Sequence, residues 1–515
     1  MLRSLRAFAR LVTIARILAR HDALSLVEEL GLARPLTRAM RLVFRKRQPG
    51  RGGEKLARAL SDLGPSFIKL GQFLSTRADL IGDSLAADLT ELQDQLPPFS
   101  GTTAQAIVAE ELDAPLAELF SDFDPAPRSA ASIAQVHMAT TSDGRQVAVK
   151  VLRPGIESAF ETDLALFAWL AELAERTQPR LRRLKPGELV ALFAEQVRLE
   201  MDLSLEAAAA QELAENFADD PTYNVPAVDW PRTARRVFTA EAIQGIRIDD
   251  RAALIAAGHD IPTVLEKAAA VFFKQAFRDG FFHGDQHPGN MFVDAGGNIV
   301  AVDFGIMGRL DRPTRYFLAD MLLALLDRDY ARLAEVHVKA GYLPRPRAGG
   351  TELSVFAQAL RAIAEPVFGK PLHEISFARL LGQLFRMSES FDMEVQPQLL
   401  LLQKNMMMAE GVSRALDPSL NTWVLAEPLI EDWMRENRGP EARVRDGARE
   451  WAEVIARLPG TLARVETLVR DTQAGGLRLD ADSGGRGDGW LRAAVGLAAA
   501  STALAAAALV VAVAG

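Results

Sequence analysis

The segment Gly280–Gly305, GFFHGDQHPGNMFVDAGGNIVAVDFG, holds the residues best suited to chemistry. Asp285 is followed five positions later by Asn290, and Asp303 heads the triplet Asp303-Phe304-Gly305. Carboxylate and amide oxygens are hard donors, the kind Mg²⁺ accepts. Phosphoryl transfer needs such donors on the cation that bridges the phosphates, and a carboxylate beside the entering hydroxyl or water. Asp285 is therefore the candidate base, and Asn290 and Asp303 are the candidate metal ligands. The same letters permit a rival. His283, Asp285 and His287 spell HxDxH, a spacing that could chelate a transition metal in a hydrolase. The chain has only seven histidines, and no second His/Asp cluster completes a tetrahedral or two-metal site. That scheme also gives Asp303-Phe304-Gly305 no role, so the histidines read better as braces of the loop.

These side chains need elements to hold them. Met291–Asp294 and Asn298–Asp303 read as two short strands joined by an Ala-Gly-Gly-Asn turn, a hairpin. The spacing from Asp285 to Asn290 and on to Asp-Phe-Gly matches the protein-kinase pattern H-R-D-x-x-x-x-N followed by D-F-G. A nucleotide-contacting lysine should then lie upstream. Val147-Ala148-Val149-Lys150 supplies it, on a strand preceded by the turn Asp143-Gly144. The loop before that strand, Ser129 to His137, has no glycine where kinases carry G-x-G-x-x-G. Alanine's Cβ limits close backbone approach, so phosphates must be cradled differently there. Downstream, an apolar helical pattern begins near Thr314 and no A-P-E follows, which leaves little room for a peptide-binding platform.

With this alanine loop the chain resembles the UbiB family, the atypical protein-kinase-like proteins of ubiquinone biosynthesis. Lys69-Leu70-Gly71-Gln72 looks like the family's KxGQ signature, and Glu91–Pro98 resembles the segment after it. Glu200-Met201-Asp202 with Glu206 resembles the ExD motif and the adjoining helix glutamate, and Glu410-Gly411-Val412 sits in a helix the family shares. The resemblance implies Mg²⁺-dependent binding of ATP or ADP, ATP hydrolysis rather than ordinary protein phosphorylation, and a role in processing ubiquinone precursors or serving their biosynthetic enzymes. It implies catalytic roles for Asp285 and Lys150. It also implies a nucleotide site of Ala130, Ala131, Ser132, Ile133, Ala134, Lys150, Glu206 and Glu241, and metal ligation by Asn290 and Asp303. Lys69 and Gln72 would face Glu200 and Asp202 as a regulatory gate over the face where a protein substrate would bind. The loop carries Gly284 and Gln286 where the family more often has alanine and proline, and the sequence also departs from the family at Ala134 and Ala209, which bears on nucleotide preference and metal geometry. The stretch HGDxHxGN also resembles aminoglycoside-type phosphotransferases, so a small-molecule kinase is an alternative; a non-enzymatic, nucleotide-switched lipid-binding scaffold is another.

The expected fold is α+β: a bilobed protein-kinase-like fold with an N-terminal helical extension and a C-terminal transmembrane helix. The expected segments are a basic arm (1–60), a KxGQ extension (61–128), an N-lobe (129–245), a C-lobe (246–479), a linker (480–492) and a membrane span (493–515). Composition frames this reading. At 515 residues, 49% hydrophobic and 24% charged, the chain is globular, and the absence of cysteine removes disulfides, zinc fingers and thiol nucleophiles. The net charge of −8 is unevenly spread: residues 1–60 carry fourteen Lys/Arg against four Asp/Glu. Leu2, Leu5, Phe8, Leu11 and Leu18 recur at helical spacing among Arg3, Arg6, Arg10, Arg16 and Arg20, a basic amphipathic helix. Such a helix can rest on anionic membrane lipids, dock on the fold or act as a targeting segment. At the other end, Ala493–Gly515 has no charge, follows a glycine-rich linker, and is long enough to span a bilayer or self-associate as an oligomer contact. A bacterial inner membrane with the body cytoplasmic is the location these ends imply. One basic segment and 7% aromatic residues give no support for nucleic-acid binding.

Overall fold

The computed structural model describes residues 2–23, 50–75, 81–90, 96–177, 185–344, 351–368 and 396–418, with scattered positions between 77 and 92, 382 and 393, and 428 and 437. The elements named below lie within one compact unit, Met1–Arg435. The linker 480–492 and the uncharged run 493–515 lie outside the described residues, as does 438–479 of the expected C-lobe. Among the described residues no helix is long and apolar enough to cross a membrane.

Helix α1 (Leu2–Arg20) is the basic arm. Arg10 grips Asp163 through two bonds of 2.8 and 2.9 Å, donates to the Leu63 carbonyl at 3.1 Å, and lies 5.2 Å over the Phe67 ring. Ala19 and Ala23 are buried, whereas Val12 and Arg16 are exposed. One face of the arm is therefore docked on the body. Helices α2 (Gly52–Leu63) and α3 (Pro65–Ser75) meet at Gly64, whose φ of 102° ends the first before Pro65 starts the second. Within α3, a Cβ on Gly71 would come 2.8 Å from Leu60 Cδ1, so the glycine of KxGQ lets α3 lie close against α2. Helix α4 (Asp83–Thr90) packs on both.

The first sheet follows α5 (Gly101–Glu111). Its strands β1 (Phe120–Ala130), β2 (Ala134–Thr141) and β3 (Gln146–Leu152) pair antiparallel in sequence order. β1 begins inside the segment 61–128 that the sequence assigns to the helical extension. Pro125 and Pro127 hide it from pattern reading. The strand tolerates them because it lies at the sheet edge with register shifts around them. In β3, Val147, Val149 and Val151 are buried against Ala104, Ile107 and Val108 of α5, which turns Lys150 to the opposite face. Helices α6 (Ile156–Thr177), α7 (Pro186–Glu200) and α8 (Leu203–Asn216) come next, then β4 (Tyr223–Asn224) and β5 (Val237–Glu241), which pairs with β3 to complete the sheet.

Beyond β6 (Ile246–Arg247), helix α9 (Ile261–Phe273) runs into a π-helical turn, Lys274–Asp279, that ends at Gly280 with φ 69°. Strand β7 (Phe281–His283) leads into the loop with Asp285, followed by β8 (Met291–Val293) and β9 (Ile299–Ala301), the expected hairpin. Strand β10 (Met307–Arg309) returns antiparallel to β7, and α10 (Arg312–Leu326) starts at once. The remaining helices are α11 (Tyr330–Lys339), α12 (Thr351–Phe368) and α13 (Pro397–Leu416). Leu399, Leu402 and Met406 of α13 join Phe282, Leu333 and Phe356 in one buried cluster, so this face of α13 serves as core.

Candidate active site

Lys150 is the centre of the site. Its ammonium donates to Glu206 at 2.7 and 2.9 Å and to Asp303 Oδ1 at 2.9 Å. Glu206 lies in the first turn of α8, and that helix is started by Asp202, whose side chain accepts from the Ser204 amide at 3.1 Å. Burial opposes the charged form of Lys150, but Asp303 and Glu206 outweigh it and the proton is held more tightly than on an ordinary lysine. Burial pushes Glu206 up against the pull of Lys150, and the neighbouring charge of Asp303 adds to the rise. Asp303 goes the other way: the Lys150 charge beside it holds its carboxyl well below the usual range, with help from Lys69. The backbone at Asp303 is left-handed, φ 64°, a conformation that Asp adopts more readily than bulkier residues.

The neighbouring loop presents Asp285. Gly284 is tied to the Ile306 carbonyl at 2.7 Å, and a Cβ there would come within 3.0 Å of Ile306, which accounts for glycine at this position. His283 is buried and kept neutral by burial. One ring nitrogen lies 3.1 Å from the Val302 carbonyl and the other accepts from the Asp285 amide at 3.1 Å, which fixes Nε2–H as the tautomer. His287 Nδ1 accepts from the Gly289 amide. Both histidines thus brace the loop, and among the described residues no three His, Asp or Glu side chains converge on a metal cage. A divalent cation would instead be held by Asn290, Asp303 and phosphate oxygens. The donor set fits: Asn290 Nδ2 donates to the Asp285 carbonyl at 3.1 Å, leaving the amide oxygen as the donor to a cation, and Asp303 is held ionised.

Of the four residues expected to form a gate, the structure pairs two. Lys69 of α3 pairs with Glu200 of α7 at 2.8 Å, both largely buried. Asp202 is turned to its capping role rather than to Lys69. Gln72 is partly buried, and its carbonyl accepts from Ser75 Oγ at 2.7 Å. Glu241 ends β5 on the exposed side, and its amide donates to the Ala227 carbonyl at 2.9 Å. The alanine loop links β1 to β2 as a tight reversal, with the Ala131 amide bonded to the Ala134 carbonyl at 2.8 Å. Ser132, Ile133 and Ala134 are buried, and Ala130 and Ala131 partly so; the Ala134 side chain belongs to the main hydrophobic core.

Comparison with known proteins falls into the same two parts. The family described as the ABC1 atypical kinase-like domain matches residues 91–337, and the UbiB helical domain matches residues 360–421. A protein from Marinobacter nauticus called "Probable protein kinase UbiB" is 43% identical over 79% of this chain and 75% of its own length. The chain belongs to the UbiB family. A Cellvibrio japonicus relative of the same description is 41% identical over 88% of this chain and 83% of its own. A solved structure, "The complex structure of Rv3197-erythromycin from Mycobacterium tuberculosis", is 24% identical with a TM-score of 0.45, covering 70% of this chain and 94% of that one.

Within the UbiB frame, two sets of residues escaped sequence reasoning. Lys404 and Asn405 lie on α13, in the helical-domain match. Lys404 Nζ donates to Asp285 Oδ1 at 2.8 Å. Asn405, fully buried, donates to the His283 carbonyl and accepts from the Gln286 amide at 3.3 Å. The signal was available as the polar stretch Gln403-Lys404-Asn405 between the apolar runs of the helix. Arg153, just after β3, is the other: its guanidinium donates to the Ala131 carbonyl at 2.8 and 3.0 Å, to Pro97 at 3.0 Å and to Leu96 at 3.3 Å. It ties the alanine loop to the segment that follows the KxGQ helices. These four bonds go to carbonyls, which no side-chain motif records.

Proposed function

We propose that this UbiB-family chain hydrolyses Mg·ATP at the Lys150–Glu206–Asp303 site, and that the turnover serves ubiquinone biosynthesis at the bacterial inner membrane by giving access to lipid-embedded quinone precursors. The observation that carries the reading is the three-way contact of Lys150, Glu206 and Asp303 beside a loop bearing Asp285 and Asn290. Lys150 contacts the nucleotide's phosphates and Glu206 keeps it aimed. Asp285 takes the proton of the attacking water as its oxygen bonds to the γ-phosphorus, while the bond from that phosphorus to the bridging oxygen breaks and ADP leaves with the electron pair. Magnesium, when held by Asn290 and Asp303, neutralises phosphate charge that otherwise repels the nucleophile.

Hydrolysis rather than protein phosphorylation is supported by the short path of the chain beyond Asp303-Phe304-Gly305, which enters β10 and then α10 from Arg312 with no long activation segment. Lys69, fixed to Glu200, contributes to the field at Asp303, which supports a KxGQ helix standing over the site. Membrane association is supported by the basic arm and the uncharged run 493–515.

The test incubates purified full-length protein with Mg·ATP and anionic liposomes, measuring ADP, phospholipid and phosphorylated products together, with Asp303→Asn as the blank. Cells carrying Asp303→Asn or Asp285→Ala should lose both turnover and quinone production. Normal quinone in both variants overturns the reading; quinone retained with Asp285→Ala alone makes the protein a nucleotide-switched scaffold. A phosphorylated small-molecule product would make it a kinase.

A further inference from the structure

We propose that Lys404, on a helix outside the kinase-like match, is a catalytic residue: its ammonium contacts the phosphoryl group in transfer while it holds Asp285. The inference rests on the Mg·ATP reading above and goes beyond it by adding a residue from the helical domain to the reacting centre.

Four observations lead there. Lys404 Nζ sits 2.8 Å from Asp285 Oδ1, the carboxylate assigned to the nucleophile's proton. The contact is rigidly supported, because the adjacent Asn405 is fully buried and bonded to the backbone on both sides of Asp285, at His283 and at Gln286. The ammonium is not sealed off; its side chain keeps a quarter of its exposure, so a nucleotide can reach it. Finally, the loop from Gly280 to Asn290 contains no Lys or Arg. Among the described residues, the nearby Lys150 is held by Glu206 and Asp303 and Lys69 by Glu200, so the ammonium paired with Asp285 is that of Lys404.

A phosphoryl group moving toward Asp285 brings anionic oxygens up to a carboxylate, an arrangement that repels unless a cation stands between. Lysine acts on phosphate as a point charge with three donors, and Asp285 occupies one of them. In the step, oxygen of water bonds to phosphorus, the bond to the leaving ADP breaks, and the proton goes to Asp285. Lys404 neither gives nor takes a proton.

The full-length chain, with no cysteine of its own, permits a clean test. Lys404→Met and Lys404→Cys should lower kcat by about 10²–10³-fold, the usual effect of removing one charge-stabilising donor, with KM for ATP rising by no more than about tenfold, in step with the three-phosphate analogue below. By calorimetry, affinity for Mg·ADP should stay within about twofold, while affinity for Mg·AMP-PNP, which carries the third phosphate, should fall about tenfold. Aminoethylation of the Lys404→Cys variant with 2-bromoethylamine restores an ammonium at that position and should recover kcat; alkylation with an uncharged propyl group should not. Rescue by both reagents, by neither, or equal loss of ADP and AMP-PNP affinity overturns the proposal. Should Lys404→Met fail to fold, the arm comparing the two alkylations, made on the cysteine variant, still decides. If the wild type shows no turnover above the Asp303→Asn blank, the hydrolysis reading fails, and Lys404 is then judged by the ADP against AMP-PNP affinities alone.

Discussion

Glu206→Gln and, separately, Asp303→Asn each remove one carboxylate charge from the same ammonium. The two bonds to Lys150 have nearly equal lengths, 2.7 and 2.9 Å, but different surroundings: the Glu206 side chain is 6% exposed and that of Asp303 is 50% exposed. Breaking a buried pair by neutralising one partner costs about 3–5 kcal/mol. Asp303 still faces Lys150 and Gln can accept one of its hydrogens, so Glu206→Gln should cost about 2–3 kcal/mol of that. A half-exposed pair is screened by water, and Asp303→Asn should cost about 0–1 kcal/mol. At about 2.1 cal/mol/K per residue, the unit Met1–Arg435 shifts by roughly 1 °C per kcal/mol, so the thermal midpoint should fall by about 2–3 °C for the first and by no more than about 1 °C for the second. Nucleotide turnover should rank the other way, with Asp303→Asn the more damaging because the carboxylate proposed to hold the magnesium is lost. Differential scanning fluorimetry and an ADP-release assay on the same preparations measure both. If Asp303→Asn destabilises as much as Glu206→Gln, burial is not what sets the strength of these contacts and the reasoning fails.

The geometry leads to three further outcomes. Lys69→Met and Glu200→Gln should each destabilise by about 2–4 kcal/mol, whereas Lys69→Met combined with Glu200→Leu should regain much of the loss, read as non-additive thermal midpoints. Arg153→Lys keeps a charge but loses the fork that grips three carbonyls; it should weaken Mg·ADP binding several-fold by calorimetry with little change in midpoint, and an unchanged affinity would detach the alanine loop from nucleotide binding. His283 is held neutral, its folded pKa below the ordinary value near 6.5, so as pH falls through that value the unfolded chain gains a proton the folded chain refuses and stability declines. His283→Asn should flatten the midpoint's slope between about pH 6.5 and 5; His137 and His337, lowered in the same direction, leave a residue of it.

Residues whose chemistry is local in sequence are legible from the sequence alone. Asp285 and Asn290 share one loop, Asp303-Phe304-Gly305 follows the hairpin, and the alternation of Val147, Val149 and Val151 by itself turns Lys150 to the opposite face. Glu206 and the Lys69–Glu200 pair are reached through family motifs, and the structure brings Lys69 to Glu200 but gives Asp202 to the start of α8. Lys404, Asn405 and Arg153 are not legible in this way, for two physical reasons. The first two meet the loop across more than a hundred residues, and local periodicity carries no record of such a contact. The hydrogen bonds by which Arg153 holds the alanine loop go to backbone carbonyls, which a pattern of side-chain types does not encode. β1 is missed in part because edge-strand prolines look like a break.

The grip of Asn405 on both sides of Asp285 has a consequence for how such proteins are divided. A fragment ending at residue 337 contains Lys150, Glu206, Asp285, Asn290 and Asp303, every position by which a sequence search would recognise a phosphoryl-transfer centre. It would still lack the amide that seats the loop and the ammonium that faces its carboxylate. Boundaries drawn by homology and boundaries drawn by the contacts of the Asp285 loop therefore differ in this chain. Any excised or transplanted version that is to keep these contacts has to carry α13 with it, so that helix is part of what holds the Asp285 loop rather than an appendage to it.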